Sequence, residues 1–123
     1  MLTQNLNITT FEGETVKLPC ELTNLGSYHV NWLKIKDNIP MALTVGYQQF
    51  SRNMRYRVAR VHDEANNFES WNFEIRRATF DDSGMYECYV KLNQRHKIKA
   101  NIFLDVKRKQ EATTVPRPGD FGN

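Results

Sequence analysis

"DDSGMYEC", residues 81–88, sets Asp82, Gly84, Tyr86 and Cys88 at every second position. A period of two is strand geometry. Asp and Gly, however, are depleted in strands. The stretch therefore begins as a turn and becomes a strand, and what that turn holds in place decides the fold.

Short β-type runs lie on the N-terminal side of this stretch and beyond it. "ETVKLPCEL" (14–22) alternates Val16, Leu18, Cys20 and Leu22 on one face. "YHVNWLKI", "MALTVGY", "RYRVARV" and "WNFEIRR" follow, then "MYECYVKL" and "KANIFLDVK". Turn-type segments separate them, as a sandwich or barrel requires. No window longer than a turn keeps a 3.6 period, and "RATFDDSG" has room for one 3-10 turn. From Lys107 the pattern changes: "KRKQEATTVPRPGDFGN" has two prolines, two glycines and no alternation. The expected organisation is one domain over 1–107 and a flexible tail or linker over 108–123.

The 123 residues suffice for one domain with a core. Net charge is +3, a mild excess that does not call for nucleic acid. Cys20 and Cys88 are the only cysteines. Two cannot complete a four-ligand zinc site, so they pair or are separate buried thiols. No stretch nears roughly 18 consecutive apolar residues, the length of a membrane-spanning helix. "MLTQNLNITT" lacks the basic and apolar regions of a signal peptide. If the protein is extracellular, the chain is then a trimmed piece.

Trp32 stands twelve residues after Cys20, and Cys88 follows the Asp82-x-Gly84-x-Tyr86 turn. This order resembles the immunoglobulin fold, an all-β, two-sheet Greek-key sandwich with strands lettered A to G. The resemblance implies a Cys20–Cys88 disulfide between sheets, with Trp32 packed on it. Tyr86 is then a tyrosine corner, its hydroxyl returning to the loop backbone. In variable-type domains an Arg at the start of strand D pairs with the Asp before strand F, which here implies Arg55 with Asp82. These residues are scaffold and report fold, not activity. A disulfide persists in oxidising compartments, so the expected location is extracellular. Asn7-Ile8-Thr9 is the one N-x-[ST] sequon and is a candidate glycan acceptor.

The 68-residue cysteine spacing leaves room for strands C′ and C″, hence a variable-type domain. "LPCELTNLGSYHVNWLK", "ALTVG" and "WNFEIRRATFDDSGMYECYV" resemble the first immunoglobulin domain of a neuronal adhesion group. That group comprises lachesin, amalgam, klingon, the Dpr and DIP receptors and the IgLONs. The resemblance covers roughly residues 7–107 and implies pairing through the faces of strands C, C′, F and G, homophilic or heterophilic.

Strand alternation gives an independent reading of that face. If Trp32 and Cys88 point inward, Asn31, Leu33, Ile35, Glu87, Tyr89 and Lys91 point outward. On strand G, Asn101 and Phe103 are expected outside. On C′, Leu43 and Val45 are expected to share the outer face with Tyr47, so that a charge at Leu43 spares folding. Such a contiguous apolar patch is unusual on a monomeric domain. Apolar centres ringed by Asn31, Lys91 and Asn101 suit an interface. The competing reading has lysine stems covering the patch.

Catalysis and polyanion binding are the competing functions. Ser83 lies in the turn motif, no nucleophile elbow surrounds any Ser, and His29, His62 and His96 are scattered. No catalytic residue, metal or cofactor is therefore expected. "KLNQRHKIK" (91–99) is a basic F–G hairpin that a heparan-sulfate-like polyanion could bridge with "KRK" at 107–109.

Overall fold

The computed structural model describes residues 1–109. Of the expected tail, 110–123 lies outside the described residues. Ten strands form two sheets. The first has six: β1 (Leu6–Phe11), β10 (Lys97–Lys107), β9 (Gly84–Lys91), β4 (Asn31–Lys36), β5 (Ile39–Val45) and β6 (Gln48–Gln49), in that spatial order. The second joins β2 (Val16–Leu18), β3 (Glu21–Thr23), β8 (Phe68–Ile75) and β7 (Tyr56–Asp63). β1 runs parallel to β10, and every other pairing is antiparallel. In immunoglobulin lettering, β4, β5, β6, β9 and β10 are C, C′, C″, F and G.

β2 and β3 are one strand interrupted at Pro19, which has no N–H for the ladder. The Asn72 side chain repairs the break by accepting the Cys20 N–H at 3.1 Å. The inward alternation of each strand fills the gap between sheets. Leu18, Leu22, Phe73 and Ile75 meet Trp32, Tyr86, Ile102 and Leu104, all essentially inaccessible to solvent. Cys20 and Cys88 are bonded across this core, with Cα atoms 6.3 Å apart. Trp32 also crosses it, donating its Nε1–H to the Trp71 carbonyl at 2.8 Å.

The opening motif is the lock between β7 and β9. Phe80–Asp82 makes a single 3-10 turn. Asp82 accepts the Thr79 N–H at 2.8 Å, both ends of the Arg55 guanidinium at 2.8 and 3.1 Å, and the Tyr56 hydroxyl at 2.9 Å. Tyr86 donates its hydroxyl to the Asp82 carbonyl at 2.6 Å. Burial alone would raise the Asp82 carboxyl. The bonds from Arg55, Thr79 and Tyr56 outweigh it and hold the group below the usual carboxylate range. Gly84 has φ +145°, and a Cβ there would stand 3.2 Å from Lys34 Cε, so both backbone and space favour glycine.

The facing expected for β5 is corrected by a β-bulge. Trp32 pairs with Thr44 but Leu33 pairs with Ala42, so Leu43 is an extra residue with no partner on β4. A bulge shifts the alternation by one. Leu43 and Thr44 consequently both turn inward, and Leu43 joins the core. Tyr47 is also misplaced by simple alternation. It sits in the two-residue β5–β6 turn after Gly46 (φ +57°) and leans on the second sheet, its ring 4.9 Å from that of Trp71.

Candidate functional site

The outer face of β5, β4, β9 and β10 is built in rows by cross-strand register. One row runs Val45, Asn31, Tyr89, Lys99. The next runs Ala42, Leu33, Glu87, Asn101. The third runs Pro40, Ile35, Met85, Phe103 and reaches Asn7 on β1. Leu33, Ile35, Met85 and Tyr89 are half-buried, while Val45 and Phe103 are exposed. Lys91 is exposed at the end of β9.

Asn31 departs from its expected rim position. It is only 8% exposed, between Val45 and Tyr89, because both neighbouring strands pair with β4 at that level. Its Oδ1 is buried without a hydrogen-bond partner, and so is Oδ1 of Asn101. Buried acceptors are rarely left unpaired, since each loses its water without compensation.

Glu87 lies at the centre of the face, 4% exposed. Lys97 Nζ stands 2.8 Å from one carboxylate oxygen and Lys99 Nζ 3.7 Å from the other. The Lys97 ammonium also lies 4.8 Å from the Tyr89 ring centroid, a cation–π arrangement. Lysine stems therefore cover Glu87 and part of Tyr89, but the side chains of Leu33 and Ile35 stay partly open. Alternation placed Glu87 outside without revealing its centrality. The signal was available in Lys97 and Lys99, which face it once β9 and β10 are paired. Met85 was overlooked although it has the same parity.

Beside these rows the β9–β10 hairpin leaves a groove of about 410 Å³, between Leu33 and Tyr89 on one side and Lys91, Arg95 and Lys97 on the other. Asn93 Oδ1 pins the hairpin by accepting the N–H groups of Arg95 and His96 at 2.9 and 3.0 Å.

The outer face of the second sheet has a different character. Glu74 lies between Arg57 at 3.0 Å and Lys17 at 3.7 Å, and Arg60 pairs with Glu69 at 2.9 Å. Asn72, on the same strand, accepts the Cys20 N–H. Charge pairs thus blanket this sheet, whereas the first sheet presents apolar rows around unpaired acceptors. The Ser83 hydroxyl accepts the Val106 N–H at 2.9 Å. Among the described residues no three His, Cys, Asp or Glu side chains gather as a metal site, and no helix is long and apolar enough to cross a membrane.

Four similarities place the chain. Lachesin of Schistocerca americana is 29% identical over 99 residues, covering 78% of this chain and 27% of that protein, and the chain spans about a quarter of the length of the curated relatives it matches. A chain in the crystal structure of Dpr2 Ig1–Ig2 in complex with DIP-Theta Ig1–Ig3 superposes with TM-score 0.70 at 31% identity, over 86% of this chain and 45% of that one. The ZIG-8 IG1 homodimer superposes with TM-score 0.64 at 25% identity, over 88% and 83%. The immunoglobulin V-set domain profile matches residues 3–107. With its two-sheet sandwich, cross-sheet disulfide and C′ and C″ strands, the chain belongs to the immunoglobulin V-set family.

Proposed function

We propose that the chain is an extracellular, cell-surface recognition and adhesion module. It docks the outer face of β5, β4, β9 and β10 onto an immunoglobulin-superfamily domain of the same or a related protein. The observation that carries this reading is the run of accessible apolar side chains Leu33, Ile35, Met85, Tyr89 and Val45 on one sheet, against the ion-paired outer face of the other. A docking domain lies over these side chains. Its apolar side chains cover Leu33 and Ile35 and exclude water. Asn101 and Lys91 lie at the rim. Two of the proteins similar to this chain were crystallised as a homodimer, ZIG-8 IG1, and as a complex, Dpr2 with DIP-Theta, which supports pairing with itself or with a relative.

Sedimentation velocity tests this, with the chain alone and mixed with first immunoglobulin domains of related receptors from the same organism. Association of at least one pair is the expected result. Failure of every combination to associate contradicts the proposal.

A second reading is favoured by the β9–β10 groove, where Lys91, Arg95 and Lys97 converge. A heparan-sulfate-like polyanion is the ligand of matching charge. Because Lys97 is committed to Glu87, Lys91 and Arg95 carry this reading. Elution from heparin at rising salt separates the two, since sulfate contacts weaken steeply with ionic strength and apolar docking does not.

A further inference from the structure

The sequon Asn7-Ile8-Thr9 lies on β1, the edge strand of the first sheet. Alternation on β1 turns Ile8 and Thr10 toward the core, while Asn7 and Thr9 are exposed on the opposite side. Asn7 is in register with Phe103, which is 42% exposed, and the two share a shallow groove of about 260 Å³ with Met85 and Asn101. An exposed aromatic ring next to a sequon asparagine, on the same face of one sheet, is a platform for a sugar. The C–H-bearing face of a pyranose is apolar, and it stacks on an aromatic ring while its hydroxyls stay in water.

We propose that Asn7 carries an N-linked glycan whose first N-acetylglucosamine lies over Phe103 and closes the β1 margin of the outer face. The donor is a lipid-pyrophosphate-linked oligosaccharide of the secretory lumen. The Asn7 amide nitrogen forms a bond to the anomeric carbon of the sugar. The bond from that carbon to the pyrophosphate oxygen breaks, the lipid pyrophosphate leaves with the electron pair, and the amide gives up one proton. Asn7 is an amide rather than an acid, so no charge is added to the sheet edge. Phe103 is then a sugar platform instead of a partner contact. A docking partner then covers β5, β4, β9 and β10 as far as Asn101, leaving Phe103 to the sugar. This consequence rests on the docking proposal, whereas the glycan itself does not.

The test uses the chain secreted from cultured animal cells behind a cleavable leader. Intact mass before and after peptide-N-glycosidase F should show one glycan. It should vanish in Asn7→Gln and Thr9→Ala and persist in Thr9→Ser, which keeps the hydroxyl the transferase reads. In NMR spectra of the glycosylated chain, the protons of the first sugar should be shifted upfield by the Phe103 ring. Phe103→Leu should abolish that shift without removing the glycan. An unmodified Asn7 in the secreted, disulfide-bonded chain overturns the proposal. So does a glycan whose resonances ignore Phe103→Leu. Neither result bears on whether the chain associates through Leu33.

Discussion

Leu33 of β4 and Glu87 of β9 stand opposite each other at the centre of the outer face, an open apolar side chain beside a carboxylate that two lysines cover. The pairing makes the middle of the face uncharged in effect while its β10 side is basic. Removing one member of the ion pair should therefore have unequal effects. Glu87→Gln frees Lys97 to extend into solvent and should cost at most about 1 kcal/mol of stability. Lys97→Met leaves a 4%-exposed carboxylate with the more distant Lys99 alone and should cost more. Urea denaturation of both variants decides it, and equal losses contradict the burial argument.

Leu43 is a core residue, so a charge there should unfold the domain rather than block docking. Leu43→Ala should cost roughly 2–5 kcal/mol. Val45→Asp, two residues on and 38% exposed, should cost about 1 kcal/mol or less, the scale of strand propensity. Denaturation curves that rank the two the other way would place the bulge elsewhere.

The Cys20–Cys88 bond closes a 68-residue separation. On the chain-entropy account such a closure stabilises by about 4 kcal/mol. Cys20→Ala/Cys88→Ala should lose stability of that order, read as the fall in thermal midpoint against the oxidised protein. A variant as stable as the parent would show that packing around Trp32 suffices.

Acid should loosen the β7–β9 lock. The Asp82 carboxyl is held below its ordinary value of about 3.9. The unfolded chain then takes up its proton first as pH falls. Stability from this group is complete above the ordinary value and is lost as pH drops through the depressed folded value. Asp82→Asn should lower stability at neutral pH by roughly 3–5 kcal/mol, because Arg55 is left in a partly buried site without its anion. The variant should also show a flatter stability curve below about pH 4. An unchanged acid slope contradicts the assignment.

Alkali should act through Tyr56, whose hydroxyl is pushed up to about 12 by burial and by its bond to Asp82. The unfolded chain loses this proton near the ordinary value of about 10. Stability from Tyr56 is thus full below that value and declines as pH rises toward the folded one. Tyr56→Phe should remove that part of the decline in pH-dependent denaturation.

The fold was legible because its markers are fixed by spacing. Cysteines 68 apart, Trp32 between them and a turn written as Asp82-x-Gly84-x-Tyr86 have few structural solutions. Alternation also places Leu33, Ile35 and Tyr89, since β4 and β9 are regular across their shared register. It failed at Leu43 because a bulge adds one residue without any compositional mark: "MALTV" alternates as well with Leu43 outside as inside. It failed at Tyr47 because the tight turn after Gly46 swings that ring toward Trp71. The depth of Asn31 and Glu87 depends on neighbours from β5 and β10, which no single strand's pattern contains.

Docking through the Leu33 side of the sandwich can be measured directly. The direct measurement is the affinity of an associating pair, determined by sedimentation for wild type, Leu33→Lys and Val61→Asp. A lysine at 33 faces the Glu87 carboxylate and is compatible with folding, but it places an ammonium where the partner must exclude water. Val61 is 60% exposed on β7, in the opposite sheet. The account predicts that Leu33→Lys weakens association about thirtyfold or more, the scale of a hot spot worth about 2 kcal/mol, while Val61→Asp leaves it unchanged. Full-strength association of a folded Leu33→Lys chain, or its loss with Val61→Asp alone, would contradict it.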